Sequence, residues 1–243
     1  MTINRPRELE IAAEYYNQKY PERGEIHVCF LQGASCESDY HEQINSIASR
    51  ITQYPAKIII TTRPYSQTLE HSHPCILTKD KLISLRQDNR DDSHRYNIAN
   101  KLGVTLINPK SSESDYFQED YTSCHFIALA ILKDLTREDI SELSDYNNEY
   151  LPMAKMMKYC QSPKVVQKVL SDEGKETAVK KDGRTVKDYI TQRFDTIFSS
   201  RIEEKEERWM EVLSEVYSKP SNSVESVAKE VLQKTRESKG CDI

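Results

Sequence analysis

Apolar and polar positions alternate along the first half of the chain with two different periods. Leu9, Ile11, Ala12, Tyr15, Tyr16 and Tyr20 recur near helical spacing, so residues 7–20 predict an amphipathic helix ended by Pro21 and Gly24. Ile26 to Leu31 predicts a strand. Ile44, Ile47, Ala48 and Ile51 form the inner stripe of a helix over about 38–53, capped by Ser38 or Asp39 and stopped by Pro55. Lys57 to Thr62 is β-branched and short, which predicts a buried strand. Residues 71–88 predict a hairpin, with Cys75-Ile76-Leu77 as one arm, Leu82 to Leu85 as the other and Thr78 to Lys81 as the turn. A polar helix over 91–102 ends at Gly103, and Val104 to Ile107 is a further strand.

A polar loop over 108–123 then enters a segment that is apolar on more than one side. Phe126, Ile127, Leu129, Ala130, Ile131 and Leu135 predict a largely buried helix beginning at Cys124. Thr136 to Asp139 reads as a helix cap, and helices follow at 137–144, 151–160 and 163–171. A long charged helix is predicted over 185–217 and a peripheral amphipathic one over 222–238. The order implies a mixed α+β fold, with a sheet in the first half and helices after it. The expected division is an α+β core over 1–145, a helical regulatory segment over 146–217, and a peripheral helix and tail over 218–243.

Charge changes this picture in one place. The 243 residues carry a net charge of -5, which argues against a nucleic-acid partner. Between Lys155 and Lys187, however, nine Lys or Arg meet four Asp or Glu, a local +5 that implies a polyanion site. No apolar run reaches the length of a membrane span, and the N-terminus lacks a signal-peptide core. The six cysteines have irregular spacing and no C-x-x-C pair, so they read as reduced thiols, with no metal site expected.

Cys124 is the chemically distinctive residue. At a helix N-terminus the free backbone N–H groups and the helix dipole favour a thiolate. Gln118, six residues upstream, offers an amide donor for an oxyanion. A thiolate needs a base. His125 follows Cys124 directly, so its side chain is expected to point elsewhere on the helix. A hairpin centred between Lys79 and Asp80 would set His71 opposite Asp88 and His73 opposite Arg86, all four on one face. His71, oriented by Asp88, is the preferred base, because Arg86 beside His73 would oppose its protonation. His73 stays open as the alternative.

These residues resemble the YopJ-type effectors, acetyltransferases built on a cysteine-protease-like fold. Gln118, then Ser123-Cys124, Phe126, Leu129-Ala130 and Lys133, is similar to that family's nucleophile segment. Leu151-Pro152, Lys158 and Gln161-Ser162 are similar to its C-terminal Leu-Pro…Lys-His-Thr-Gln-Ser motif. Asn17, Lys19-Tyr20-Pro21 and the Lys57 to Ile60 strand fit its N-terminal half. The chain departs from the family in having His125 where Gly usually follows the cysteine, and Tyr159-Cys160 in place of His-Thr. Placing His71 as the family's base requires a small deletion; otherwise Arg86 takes the acid's place.

The resemblance implies that Cys124 takes acetyl from acetyl-CoA and passes it to a Ser, Thr or Lys of a host signalling protein. His71 would be the base, Asp88 its orienter and Gln118 an oxyanion donor. It also implies activation by inositol hexakisphosphate, held by the basic island through Lys155, Lys158, Gln161, Lys180, Lys181 and Arg184. Delivery would be by a bacterial secretion system into the host cytoplasm. Two other readings stay open: a pseudo-enzyme of the same fold that only binds host proteins, and a cysteine protease for ubiquitin-like modifiers.

Overall fold

A computed structural model describes residues 6–32, 37–63, 71–85, 93–107, 124–145 and 223–237. The expected helices over 151–160, 163–171 and 185–217 lie outside them. The described elements are helices α1 (Pro6–Lys19), α2 (Glu37–Arg50), α3 (Ser93–Leu102), α4 (Cys124–Asp134), α5 (Arg137–Ser144) and α6 (Val224–Glu237). The strands are β1 (Ile26–Gln32), β2 (Ala56–Arg63), β3 (His71–Leu77), β4 (Lys81–Ser84) and β5 (Thr105–Ile107). Every element expected within the described stretches is present, with ends within a few residues of those read from periodicity.

The strands form one mixed sheet in the order β1-β2-β3-β4-β5. β1 and β2 run parallel, β3 and β4 antiparallel, and β4 and β5 parallel. Parallel neighbours cannot be joined by a tight turn. α2 makes the crossover from β1 to β2, and α3 the one from β4 to β5. Both helices cover the same sheet face. Ile44, Ile47 and Ile51 of α2, with Ile98 and Ala99 of α3, pack on Cys29, Leu31, Ile58, Ile60, Cys75, Leu77 and Leu82. Burial pushes the thiols of Cys29 and Cys75 up to about 12, so both are inert packing groups.

The hairpin has the expected register: Cys75 faces Ser84, Ile76 faces Ile83 and Leu77 faces Leu82. β3 is longer than the arm read from sequence. Pro74 has no N–H to give a ladder, but this does not end the strand. Instead Pro74 sits opposite Ile59, and its carbonyl accepts the N–H of Leu85 at 2.8 Å. Local caps match their residues. Gly103, at φ 67°, closes α3: its N–H reaches Asn100 O, and Val104 N–H reaches Ala99 O. Thr136 Oγ1 accepts from Asp139 N–H, and Asp139 Oδ2 accepts from Thr136 N–H, a reciprocal cap for α5.

The opposite face carries α1 over β1 and α4 over β2 and β3. α4 is pinned at both ends. His125, in its first turn, bonds to Ser72 of β3, which bonds to Thr61 of β2. Just past its last turn, Leu135 O accepts from Lys57 Nζ at 2.6 Å. From His125 to Leu135 is about 15 Å of helix. From Thr61 to Lys57 is about 13 Å of strand. The two pins therefore match in spacing and set the helix along the sheet. α6 packs on α1, burying Val227 and Ala228 against Ile11 and Tyr15.

Lys57 is 1 % exposed, and burial, followed by the nearby Arg23, pushes its ammonium down to about 8. The folded state thus disfavours the charge. Lys57→Met is expected to be more stable than wild type at neutral pH by about 1–2 kcal/mol, the smaller charge cost outweighing the lost bond to Leu135. An unfolded lysine sheds its proton at a higher pH than the folded one. Wild-type stability therefore rises through this group as pH climbs from about 8 towards 10.5, and the variant's advantage shrinks. Urea titrations of both proteins at several pH values measure the difference; an advantage independent of pH excludes the charge as its cause.

Candidate functional site around Cys124

Cys124 is the first residue of α4 and is 1 % exposed. The next residue is the unexpected one. His125 was expected to point away along the helix; its Nδ1 lies 2.6 Å from Ser72 Oγ, which lies 2.7 Å from Thr61 Oγ1. All three are buried. Either hydroxyl can act as donor, so the chain can form with either neutral imidazole tautomer. Burial, with a smaller contribution from His71, pushes the imidazole of His125 down to about 4. At neutral pH this ring is uncharged.

Strand alternation places the other two histidines. β2 and β3 pair without a bulge, His71 opposite Thr62 and His73 opposite Ile60. His71 and His73 therefore share a face with Cys75 and Leu77, the face covered by α2 and α3. Ser72, between them, takes the face of α4. The two rings meet edge to face with centres 4.4 Å apart, and both residues are 5 % exposed. The same face carries Arg95 of α3, itself buried, whose Nη1 donates to Ser84 Oγ at 2.5 Å. His71 opens its strand at the end of the sheet where α4 begins, and its field reaches His125. Cys124 and His71 are thus brought to one end of the sheet from helix and strand of different layers.

Asp88, Arg86 and Gln118 lie outside the described residues, as do Lys155, Lys158, Gln161, Lys180, Lys181 and Arg184. The hairpin register on β3 and β4 is the one from which Asp88 was assigned to His71. A cleft lined by His27, Tyr54, Arg137 and Ile140 opens at the other end of β1 and β2, away from Cys124.

Sequence reasoning missed Thr61, Ser72 and His125 as a unit. A signal existed: Thr61, Thr62 and Ser72 are small hydroxyl residues in otherwise apolar strands, and such groups need partners when buried. Which partner they meet depends on the packing of α4, which no local pattern encodes.

Among the described residues, no group of three or more His, Cys, Asp or Glu is placed to hold a metal ion, and no helix is long and apolar enough to cross a membrane. No protein-family model matches the chain, and no curated protein matches it.

Proposed function

We propose that the protein is a cysteine-dependent acetyltransferase of the YopJ type, on a cysteine-protease-like variant of the mixed α+β fold. The observation that carries this reading is positional: Cys124 opens the buried helix α4, at the sheet end where β3 begins with His71. The motif resemblance around Gln118 and Cys124 supplies the chemistry. The Cys124 thiolate attacks the thioester carbonyl of acetyl-CoA, forming an S-acetyl bond and releasing the CoA thiolate, which takes up a proton. A hydroxyl or amine of a host protein then attacks the S-acetyl carbonyl. His71 accepts the proton of that nucleophile, and Cys124 leaves as thiolate. Asp88 orients His71, and Gln118 donates to the oxyanion. The basic island holds inositol hexakisphosphate, a polyanion that needs several cations and bidentate donors. Such an activator would restrict activity to the host cytoplasm after secretion.

A second reading has its own observation. Cys124 is almost fully covered, and Ser72 rather than a histidine occupies the position on β3 that meets α4. This favours a pseudo-enzyme that binds host proteins without acyl transfer.

The test is the intact mass of purified protein after incubation with acetyl-CoA and inositol hexakisphosphate, with peptide mapping. Acetylation is expected, falling by about 100-fold or more in Cys124→Ala. Labelling unchanged in that variant overturns the enzyme reading. No labelling, together with a thermal shift from inositol hexakisphosphate, supports the pseudo-enzyme, and cleavage of a ubiquitin-like reporter supports a protease.

A further inference from the structure

We propose that the Thr61–Ser72–His125 chain is a pH-sensitive latch. It seats the first turn of α4 on the sheet while the imidazole is neutral, and lets that turn lift, uncovering Cys124, when the imidazole is protonated.

The chain links β2, β3 and α4 through contacts of 2.7 and 2.6 Å. Its last member sits one residue from Cys124, in the first turn of α4. Helix ends fray most readily, because their first N–H groups lack partners within the helix. A side-chain tie at that point decides whether the turn stays down.

The electrostatics give the tie its direction. His125 is 6 % exposed, so a charge there is poorly solvated. As the second residue of α4 it also lies at the positive end of the helix dipole. From β3 the titratable neighbours are His71 and, against it, His73; from β2 the nearest partner is Thr61, which does not titrate. On α4 the adjacent group is Cys124, and α1, which packs on α4, carries the buried Glu8. Burial, followed by His71, opposes the proton. Protonation is relieved when the ring leaves for water, which takes the first turn with it. The inference concerns access to Cys124 and does not require that the thiol transfer acetyl groups.

The protein carries its own controls. Cys29 and Cys75 are buried on the opposite face, so they react only when the whole sheet opens. Full-length protein is treated with 4,4′-dithiodipyridine, which reacts with thiols in acid, and labelled peptides are quantified. In wild type, Cys124 is expected to label about tenfold faster or more at mildly acidic than at neutral pH, with Cys29 and Cys75 protected throughout. His125→Gln, neutral at every pH, should keep Cys124 protected in acid. Ser72→Ala, which lacks the tie, should label quickly at both pH values. Hydrogen exchange in the first turn of α4 reads the same opening in wild type without any substitution. Equal Cys124 labelling at both pH values overturns the latch. So does simultaneous labelling of all three thiols in acid, or an acid response in His125→Gln that matches wild type.

Discussion

Taking the protein from pH 6.5 to about pH 4 will lower its folding stability through His125 by up to about 3 kcal/mol, the full figure applying while the ring stays buried. The sign follows from which state holds the proton. Burial, with His71 beside it, pushes the folded imidazole down to about 4, whereas an unfolded histidine protonates near 6.5. Between those values the unfolded chain binds a proton that the folded chain refuses while the first turn of α4 is seated. The stabilisation is complete above the unfolded value, is lost as pH falls, and has gone once pH drops below the folded one. His27 is also pushed down by burial, so a single pH profile mixes at least two groups. The comparison of wild type with His125→Gln separates them. Their difference in urea unfolding free energy should shrink by up to about 3 kcal/mol from neutral pH to about pH 4. A difference that stays constant would show that the neutral buried ring is not the source.

The second large effect is expected at the junction of α1 and α6. Val227 is 2 % exposed and lies with Ala228 against Ile11 and Tyr15, flanked by Tyr16, Val224 and Leu232. Val227→Asp removes a buried apolar group worth about 2 kcal/mol and leaves a carboxylate that cannot stay there unpaired. The helix escapes that cost by undocking, so the loss is limited to the free energy of docking, about 3 kcal/mol for this many apolar contacts. Ile11 and Tyr15 are then exposed. Limited proteolysis should cut within 223–237 far faster in Val227→Asp than in wild type, and the urea midpoint should fall. Lys229→Ala, on the exposed side of the same helix, should change neither. If Val227→Asp leaves both unchanged, α6 adds nothing to the body it rests on.

Legibility in the sequence followed the range of the interaction concerned. Ile58, Ile59 and Ile60 identify a buried strand because their branched side chains suit a pleated surface, and β2 is where they place it. Thr136 and Asp139 identify a helix start because their cap is made among neighbours. Gly103 identifies a helix end because only glycine takes its backbone angles without strain. The hairpin register follows from the turn at Thr78 to Lys81, where Lys81 N–H reaches Thr78 Oγ1 at 2.8 Å. The arm read from sequence begins only at Cys75, whereas β3 runs from His71, with the carbonyl of Pro74 taking the N–H of Leu85.

For the site, the position of Cys124 at a helix start was readable from the hydrophobic run behind it. The fate of His125 was not. Adjacent residues on a helix point about 100° apart, so adjacency to Cys124 says only that the two side chains diverge. Whether the second one meets water, hydrocarbon or a hydroxyl depends on the surface the helix lands on. Lys57 shows the same limit: nothing local to an isoleucine strand says where its ammonium goes, and it ends on the carbonyl of Leu135, 78 residues away.

Periodicity, turn residues and caps thus contain the elements, their order and the α+β class, because each depends on groups a few bonds apart. The assignment of faces belongs to the packed molecule: α2 and α3 with His71 and His73 on one side, α4 with Ser72 on the other, α6 closing α1. Those choices come from burying whole surfaces against each other, and the residues that meet there are remote in the chain.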